Sequence, residues 1–335
     1  MGLSTRQFGQ PYYYFLHQLL FGVVPGLFLM YIGAHVPYHQ WKRFSLLLLL
    51  FSIVLMSLVL IPQIGFMHGG ARRWLPLGSF SFQPSELLKF AFIVYLATWL
   101  EARSSEIRSF VSGLLPFLIM SGVVALFLIL QPDIGTLGVL LLAVSILFAV
   151  SGGTWRQILM MVILGAIVLG VLAYLEPYRM KRFVTFIWPS FDPQGIGYQS
   201  RQALIAIGSG GFWGRGFALS RQKFSYLPEP MGDSIFAITA EELGFIGSMA
   251  IIILYILFYL RGVFIVRLAG DVFGKLLGTG ILLLVMIQAF INIAAISGLA
   301  PLTGVPLSFI SYGGSALAIM MGEIGVLLNI SRAKR

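Results

Sequence analysis

Residues Ser220 to Gly247, SRQKFSYLPEPMGDSIFAITAEELGFIG, join a polar, basic stretch to a long apolar run, and one carboxylate, Asp233, sits at the junction. An acid at that depth can meet both an amphiphilic substrate held in a bilayer and a soluble group arriving from water. Ionisable groups at membrane depth are costly, so a functional role is the first reading for Asp233. Capping the helix that follows is the other role open to it. Glu241 and Glu242 lie further along the same run, about 12 Å deeper on an ideal helix. That depth removes them from chemistry at Asp233, and Glu242 is expected on the opposite helix face.

A second ionisable group of residues lies in GGARRWLPLGSFSFQPSELLKF, which starts at Gly69. Its glycines and prolines predict an irregular loop leading into a helix at Pro84. Glu86 and Lys89 are spaced i, i+3 and share a helix face, so they can neutralise each other in hydrocarbon. Buried ion pairs seldom repay their desolvation, which favours a functional role over a stabilising one. Arg72 and Arg73 beside Trp74 suit interfacial anchoring, or a diphosphate clamp built from charge-assisted hydrogen bonds. Asp133, in QPDIG, is placed to cap the next helix. The stretch SGLAPLTGVPLSFISYGGS (297–315) predicts a broken or re-entrant approach to the last helix. Tyr312, Gly313 and Gly314 would then line the cavity of Asp233, unless the glycines serve close helix packing.

The elements that must position these residues are transmembrane. Of 335 residues, 58% are hydrophobic and 10% charged, which excludes a soluble globular protein. Apolar runs of about 20 residues predict spanning helices at 13–34, 44–63, 85–101, 111–130, 134–151, 156–175, 234–260, 275–298 and 306–330. The expected fold class is an all-α polytopic membrane protein, a single domain over 1–335 with one large hydrophilic loop, 176–233. Lys42, Arg43, Arg103, Arg108, Arg156, Arg261, Arg267, Lys275, Arg332, Lys334 and Arg335 fall on one side, against Arg6, Arg72 and Arg73 on the other. The positive-inside rule makes the first side cytoplasmic, with the C-terminus inside and the large loop outside. That loop is itself basic (Arg179, Lys181, Arg182, Arg201, Arg215, Arg221, Lys223), which suits an anionic substrate or lipid, or plain solvated charge.

The net charge of +10 is spent largely on topology and points to no nucleic-acid partner. With no cysteine there are no disulfides and no thiolate chemistry. His17, His35, His39 and His68 are scattered, so no metal-ligand set is predicted. The absence of a Walker loop leaves ATP-driven transport without support.

Several ordered motifs carry a family resemblance: ARRW, FQPSELLKF, QPDIGT, GYQSRQALIAIGSGGFWGRG, SRQKFSYLPEP, EELGFIG and TGVPLSFISYGGS. Together they resemble the SEDS (shape, elongation, division and sporulation) family from about residue 10 to 332. SRQKFSYLPEP, TGVPLSFISYGG and the ending LLNISR are more similar to its division branch, FtsW, than to its elongation branch, RodA. The family has ten helices, and this chain resembles it without the first. Where the family usually has His-Thr-Asp-Phe around its acid, this chain has Met231-Gly232-Asp233-Ser234.

The resemblance implies a peptidoglycan glycosyltransferase that polymerises lipid II on the outer face of the bacterial cytoplasmic membrane for septal wall synthesis. It implies Asp233 as the essential acid, with Glu86, Lys89, Arg73 and Gln202 at the family's other functional positions. In the expected mechanism Asp233 is general base on the lipid II sugar 4-hydroxyl, while cations stabilise the leaving undecaprenyl diphosphate. Those cations would be Arg73, Lys89 or a divalent metal, Mg or Mn. A class B penicillin-binding transpeptidase and other divisome proteins are the partners implied. Two other readings stand beside this one. A lipid II flippase would need polar groups in both halves of the bilayer, and a division scaffold would tolerate Asp233→Asn.

Overall fold

The computed structural model describes residues 9, 12–68, 70–78, 80–188 and 195–332; Arg6, Lys334 and Arg335, counted above toward topology, lie outside them. Helices occupy each of the nine apolar runs: α1 (Tyr13–His35), α3 (Ser45–Leu60), α4 (Pro84–Ala102), α5 (Phe110–Leu130), α6 (Ile134–Val150), α7 (Trp155–Leu175), α11 (Ile235–Arg267), α12 (Val272–Ile296) and α13 (Gly314–Arg332). Short helices α2 (Tyr38–Arg43), α8 (Pro177–Ile187), α9 (Ile196–Gly210) and α10 (Gln222–Ser225) lie between them. Among the described residues, α1, α5, α7, α11, α12 and α13 are long and apolar enough to cross a membrane, and α3 and α6 are shorter apolar helices. Phe28, Leu47, Ile119, Val162 and Leu254 are large, apolar and exposed on five of these helices. Apolar outer faces of this extent need lipid, and the protein is a multi-pass membrane protein.

Three expectations are corrected. The residues leading into α4 are not an irregular loop but an antiparallel meander, β1 (Phe66–His68), β2 (Ala71–Leu77) and β3 (Phe80–Phe82). Turns at Gly70 and Gly78, both with positive φ, reverse the chain on either side of β2. The last helix starts at Gly314, not at 306, because Phe309 adopts φ 65°, which a right-handed helix excludes. The large hydrophilic segment is not all loop: its described residues include α8, α9 and α10.

The chain forms two compact units. One contains Met1–Leu16, Met160–Phe258 and Gln288–Tyr312; the other contains His17–Leu159, Tyr259–Ile287 and Gly313–Arg335.

In the second unit α4 is buried almost all round, with Leu88, Phe92, Ile93, Leu96 and Leu100 fully enclosed. This burial explains how a helix carrying Glu86 and Lys89 can sit among apolar neighbours. Helices α1 and α13 pack through small residues. A Cβ added at Gly325 would lie 2.3 Å from the Met30 carbonyl oxygen, and one at Gly33 2.6 Å from the Gly322 carbonyl oxygen. Only glycine lets the two backbones approach so closely. Asn329 completes the seam: its amide donates to Ala34 O at the end of α1 and its oxygen accepts from Tyr38 N, both at 2.9 Å.

Candidate active site

Asp233 stands two residues before α11, in the first unit, at the end of the segment that follows α10. Its backbone is tied from several directions. The Asn292 amide, on α12, donates to Asp233 O at 2.8 Å and to Val305 O at 2.7 Å. Ser311 Oγ donates to Gly232 O at 2.6 Å, and Tyr312 N donates to Met231 O at 2.8 Å. Ser234 Oγ donates back to Pro228 O at 3.0 Å. The 301–307 stretch comes close enough that a Cβ on Gly304 would sit 3.9 Å from Asp233 Oδ2.

The carboxylate itself is held by α9. Gln199 Nε2 donates to Oδ1 at 3.2 Å and to Oδ2 at 3.3 Å, and reaches Ser234 Oγ at 3.1 Å. Burial pushes the Asp233 carboxyl above the ordinary carboxylate range, and the charge of Glu229 adds to that. The hydrogen bonds from Gln199 and Ser234 and the charge of Arg182 pull the other way. Arg182, on α8, also donates to Leu302 O at 2.9 Å and so ties α8 to the 301–307 stretch. A half-buried carboxylate with a raised pKa and one firm amide donor is suited to accept a proton.

Tyr312 lies in the same unit, its ring edge-on to Tyr14 with centroids 5.1 Å apart. Burial, helped by Tyr13 and Tyr14, pushes its hydroxyl up to about 12, so it is a neutral donor rather than a base. Gln202 is half-buried on α9, one turn after Gln199. The amide that reaches Asp233 is that of Gln199. Spacing held the signal, since residues three apart share a helix face and YQSRQ offers both glutamines.

The other expected residues lie in the second unit. Glu86 Oε2 and Lys89 Nζ are 3.0 Å apart, with side chains 4% and 5% exposed, so the i, i+3 pair forms as its spacing requires. Arg73 Nε donates to Gln131 O at 3.2 Å, and its terminal amine to Pro132 O. It thereby fastens β2 to the turn before α6. Asp133 Oδ1 accepts from Thr136 N at 3.3 Å and caps α6. Arg72 lies half-exposed on β2, opposite Met67.

Glu241 and Glu242 are engaged elsewhere: both carboxylates converge on one segment, 215–223. Backbone groups of 211–216 pair across the break that Gly244 makes in α11. Among the described residues no three His, Asp or Glu side chains converge to hold a metal ion. The side-chain hydrogen-bond partners of Asp233 are the Gln199 amide and the Ser234 hydroxyl.

A polytopic helical membrane protein, with a tethered carboxylate just before a broken helix, is the class that fold and site define. The chain belongs to the FtsW/RodA/SpoVE family of cell cycle proteins, whose family model matches residues 1–335. It is 40% identical over 332 residues to stage V sporulation protein E of Bacillus subtilis (strain 168), covering 99% of this chain and 90% of that protein. It is 38% identical over 336 residues to a probable peptidoglycan glycosyltransferase FtsW of Geobacter sp. (strain M18), with the same coverage. Among solved structures, it resembles a chain from a study of how a peptidoglycan synthase complex coordinates polymerization and crosslinking. The TM-score there is 0.81 at 27% identity, over 97% of this chain and 90% of that one. The rod shape determining protein RodA of Thermus thermophilus matches with a TM-score of 0.68 at 26% identity, over 95% of this chain and 87% of that one.

Proposed function

We propose that this protein is a peptidoglycan glycosyltransferase that polymerises lipid II into glycan strands for septal wall synthesis. The observation that carries the chemistry is the Asp233 carboxylate, raised in pKa by burial and aimed by Gln199. Family membership supplies the substrate class.

In the proposed reaction the acceptor is the sugar 4-hydroxyl of lipid II and the donor is a glycan linked to undecaprenyl diphosphate. Asp233 takes the hydroxyl proton as the oxygen attacks the anomeric carbon. The bond from that carbon to the diphosphate breaks, and the diphosphate leaves with the electron pair. General base catalysis of this kind contributes about 10²–10⁴-fold. One base with a good leaving group suits inversion; a second carboxylate placed as nucleophile would be needed for retention. Glu241 and Glu242 are occupied by the 215–223 segment and do not serve that role. Tyr312 contributes a neutral donor.

Arg73, Glu86, Lys89 and Gln202 are assigned to substrate binding by the resemblance, and Arg72 by its place beside Arg73, where the two guanidinium groups suit a diphosphate. By the positive-inside rule, Asp233 and the 176–233 segment face outward and the C-terminus faces the cytoplasm. A class B penicillin-binding transpeptidase is the proposed partner, with further divisome proteins around it, by analogy with the synthase complex that the fold resembles.

The test is strand synthesis from labelled lipid II by the purified protein with that partner. Muramidase-sensitive polymer from the wild type and none from Asp233→Ala supports the reading. Equal polymer from both removes Asp233 from the chemistry. Translocation of lipid II across vesicles without polymer would favour a flippase.

A further inference from the structure

Helix α11 is broken beside the candidate site. Gly244 adopts φ 67° and ψ −163°, so the helical ladder cannot pass through it. Residues 211–216 take up backbone groups on both sides of the break. Arg215 N and Gly216 N donate to the carbonyls of Glu241 and Glu242, each at 3.0 Å. Phe245 N and Ile246 N donate to Gly211 O and Phe212 O at 2.9 and 3.3 Å. Non-helical backbone in a spanning segment persists only where such partners exist. The fit leaves no room for side chains: a Cβ on Gly244 would lie 2.2 Å from Gly214 N, and one on Gly214 2.2 Å from Glu242 O.

The two glutamate side chains hold the residues that follow. Glu241 accepts from Ser220 Oγ at 2.5 Å, Arg221 N at 3.0 Å and Gln222 N at 3.3 Å, with Arg215 Nε at 3.8 Å. Glu242 accepts from Ala218 N at 2.9 Å and Ser220 N at 3.3 Å, and pairs with Lys223 Nζ at 2.5 Å. Each of these partners is a donor, so both side chains act as acceptors only, the role of a carboxylate. Both are buried. Ala218 is held at φ 67°, a conformation that persists for a residue with a Cβ only when its surroundings over-determine it.

The segment from 218 to 233 is therefore tied at both ends. Glu241 and Glu242 hold 218–223, while Asn292, Ser311 and Tyr312 hold 231–233. We infer that Glu241 and Glu242 are positioning residues for Asp233: they clamp 215–223 onto the short helical piece before Gly244 and thereby fix the backbone that presents the acid. What Asp233 does rests on the proposed polymerase reading; the clamp rests on its own geometry.

The experiment uses the full-length protein in detergent, with Glu241→Gln and Glu242→Gln, which keep the side-chain shape and turn one acceptor oxygen into a donor. Limited trypsin digestion reads the clamp at Arg221, which is exposed, and at Lys223. Cleavage there is expected to be about ten-fold faster in either variant, because local opening governs access. In the lipid II assay kcat is expected to fall about 10- to 100-fold with KM unchanged, the pattern of a misplaced catalytic group. Ser220→Ala, which removes one donor to Glu241, is read in the same way if a glutamine variant does not fold. Wild-type cleavage rates overturn the clamp. Faster cleavage with unchanged kcat overturns the positioning role. If the wild type itself makes no polymer, the polymerase reading fails and the digestion still decides the clamp.

Discussion

Gln199 Nε2 donates to both oxygens of Asp233, at 3.2 and 3.3 Å, so a single amide on α9 sets the orientation of the acid that precedes α11. The bond favours the ionised form and opposes the upward push of burial. Polymerisation needs Asp233 deprotonated, so its rate falls as pH drops through that raised pKa. Gln199→Leu removes the opposing bond and raises the pKa further. The acidic limb of the kcat/KM profile is expected to move to more alkaline pH, with a several-fold lower rate on that limb. An unmoved limb would show that Gln199 does not tune the acid.

Asp233 is also expected to weaken the fold. Its folded-state pKa lies above the unfolded value. The stability linked to it is therefore present below the unfolded pKa and lost as pH rises through the folded one. Above that raised pKa the ionised, half-buried carboxylate is a net burden. Asp233→Asn keeps the shape without the charge, so its melting temperature at pH 7.5 should equal or exceed that of the wild type. A drop of several degrees would mean that the charge stabilises the protein instead.

Glu86 and Lys89 allow stability and function to be separated. Lys89→Met leaves the buried Glu86 without its ion-pair partner and should cost about 3–5 kcal/mol. Adding Glu86→Leu removes the stranded Glu86 charge and should recover part of that loss, the buried Glu323 of α13, which interacts electrostatically with both residues, remaining in place. If the pair only supports packing, polymerisation returns with stability. If it contacts substrate, the double variant regains that stability and remains inactive; melting curves and the lipid II assay on the same samples distinguish the two.

The α1–α13 seam is expected to be intolerant of one methyl group. Gly325→Ala would place Cβ at 2.3 Å from Met30 O, a backbone atom that cannot turn aside. Overpacking of this kind costs about 1–3 kcal/mol. Gly122→Ala, where the added Cβ meets nothing within 4 Å, is the control and should melt like the wild type. Equal melting of the two variants would mean that the seam yields.

The spanning helices were legible because hydrocarbon thickness sets the length of an apolar run, and each of the nine runs marked a helix. Even α4, interrupted by Glu86 and Lys89, could be read, since an i, i+3 pair satisfies itself. The meander at 66–82 could not. ARRWLPL alternates too weakly to reveal a strand, and Gly70 and Gly78 resemble ordinary loop residues. The position of Asp233 at the mouth of α11 was visible in SRQKFSYLPEPMGDS, but its partners come from distant segments: Gln199 on α9, Asn292 on α12 and Ser311 beyond it. The contacts of Glu241 and Glu242 were not legible, because they come from the 215–223 segment, which returns in space to meet both side chains.

The central claim is that Asp233 takes the proton from the acceptor hydroxyl. The most direct measurement is the initial rate of polymer formation from labelled lipid II by the wild type and by Asp233→Asn, on samples shown to melt alike. A fall of about 10²–10⁴-fold in kcat is predicted, the range of a lost general base. A rate within two-fold of the wild type would contradict the account, because an amide cannot take that proton.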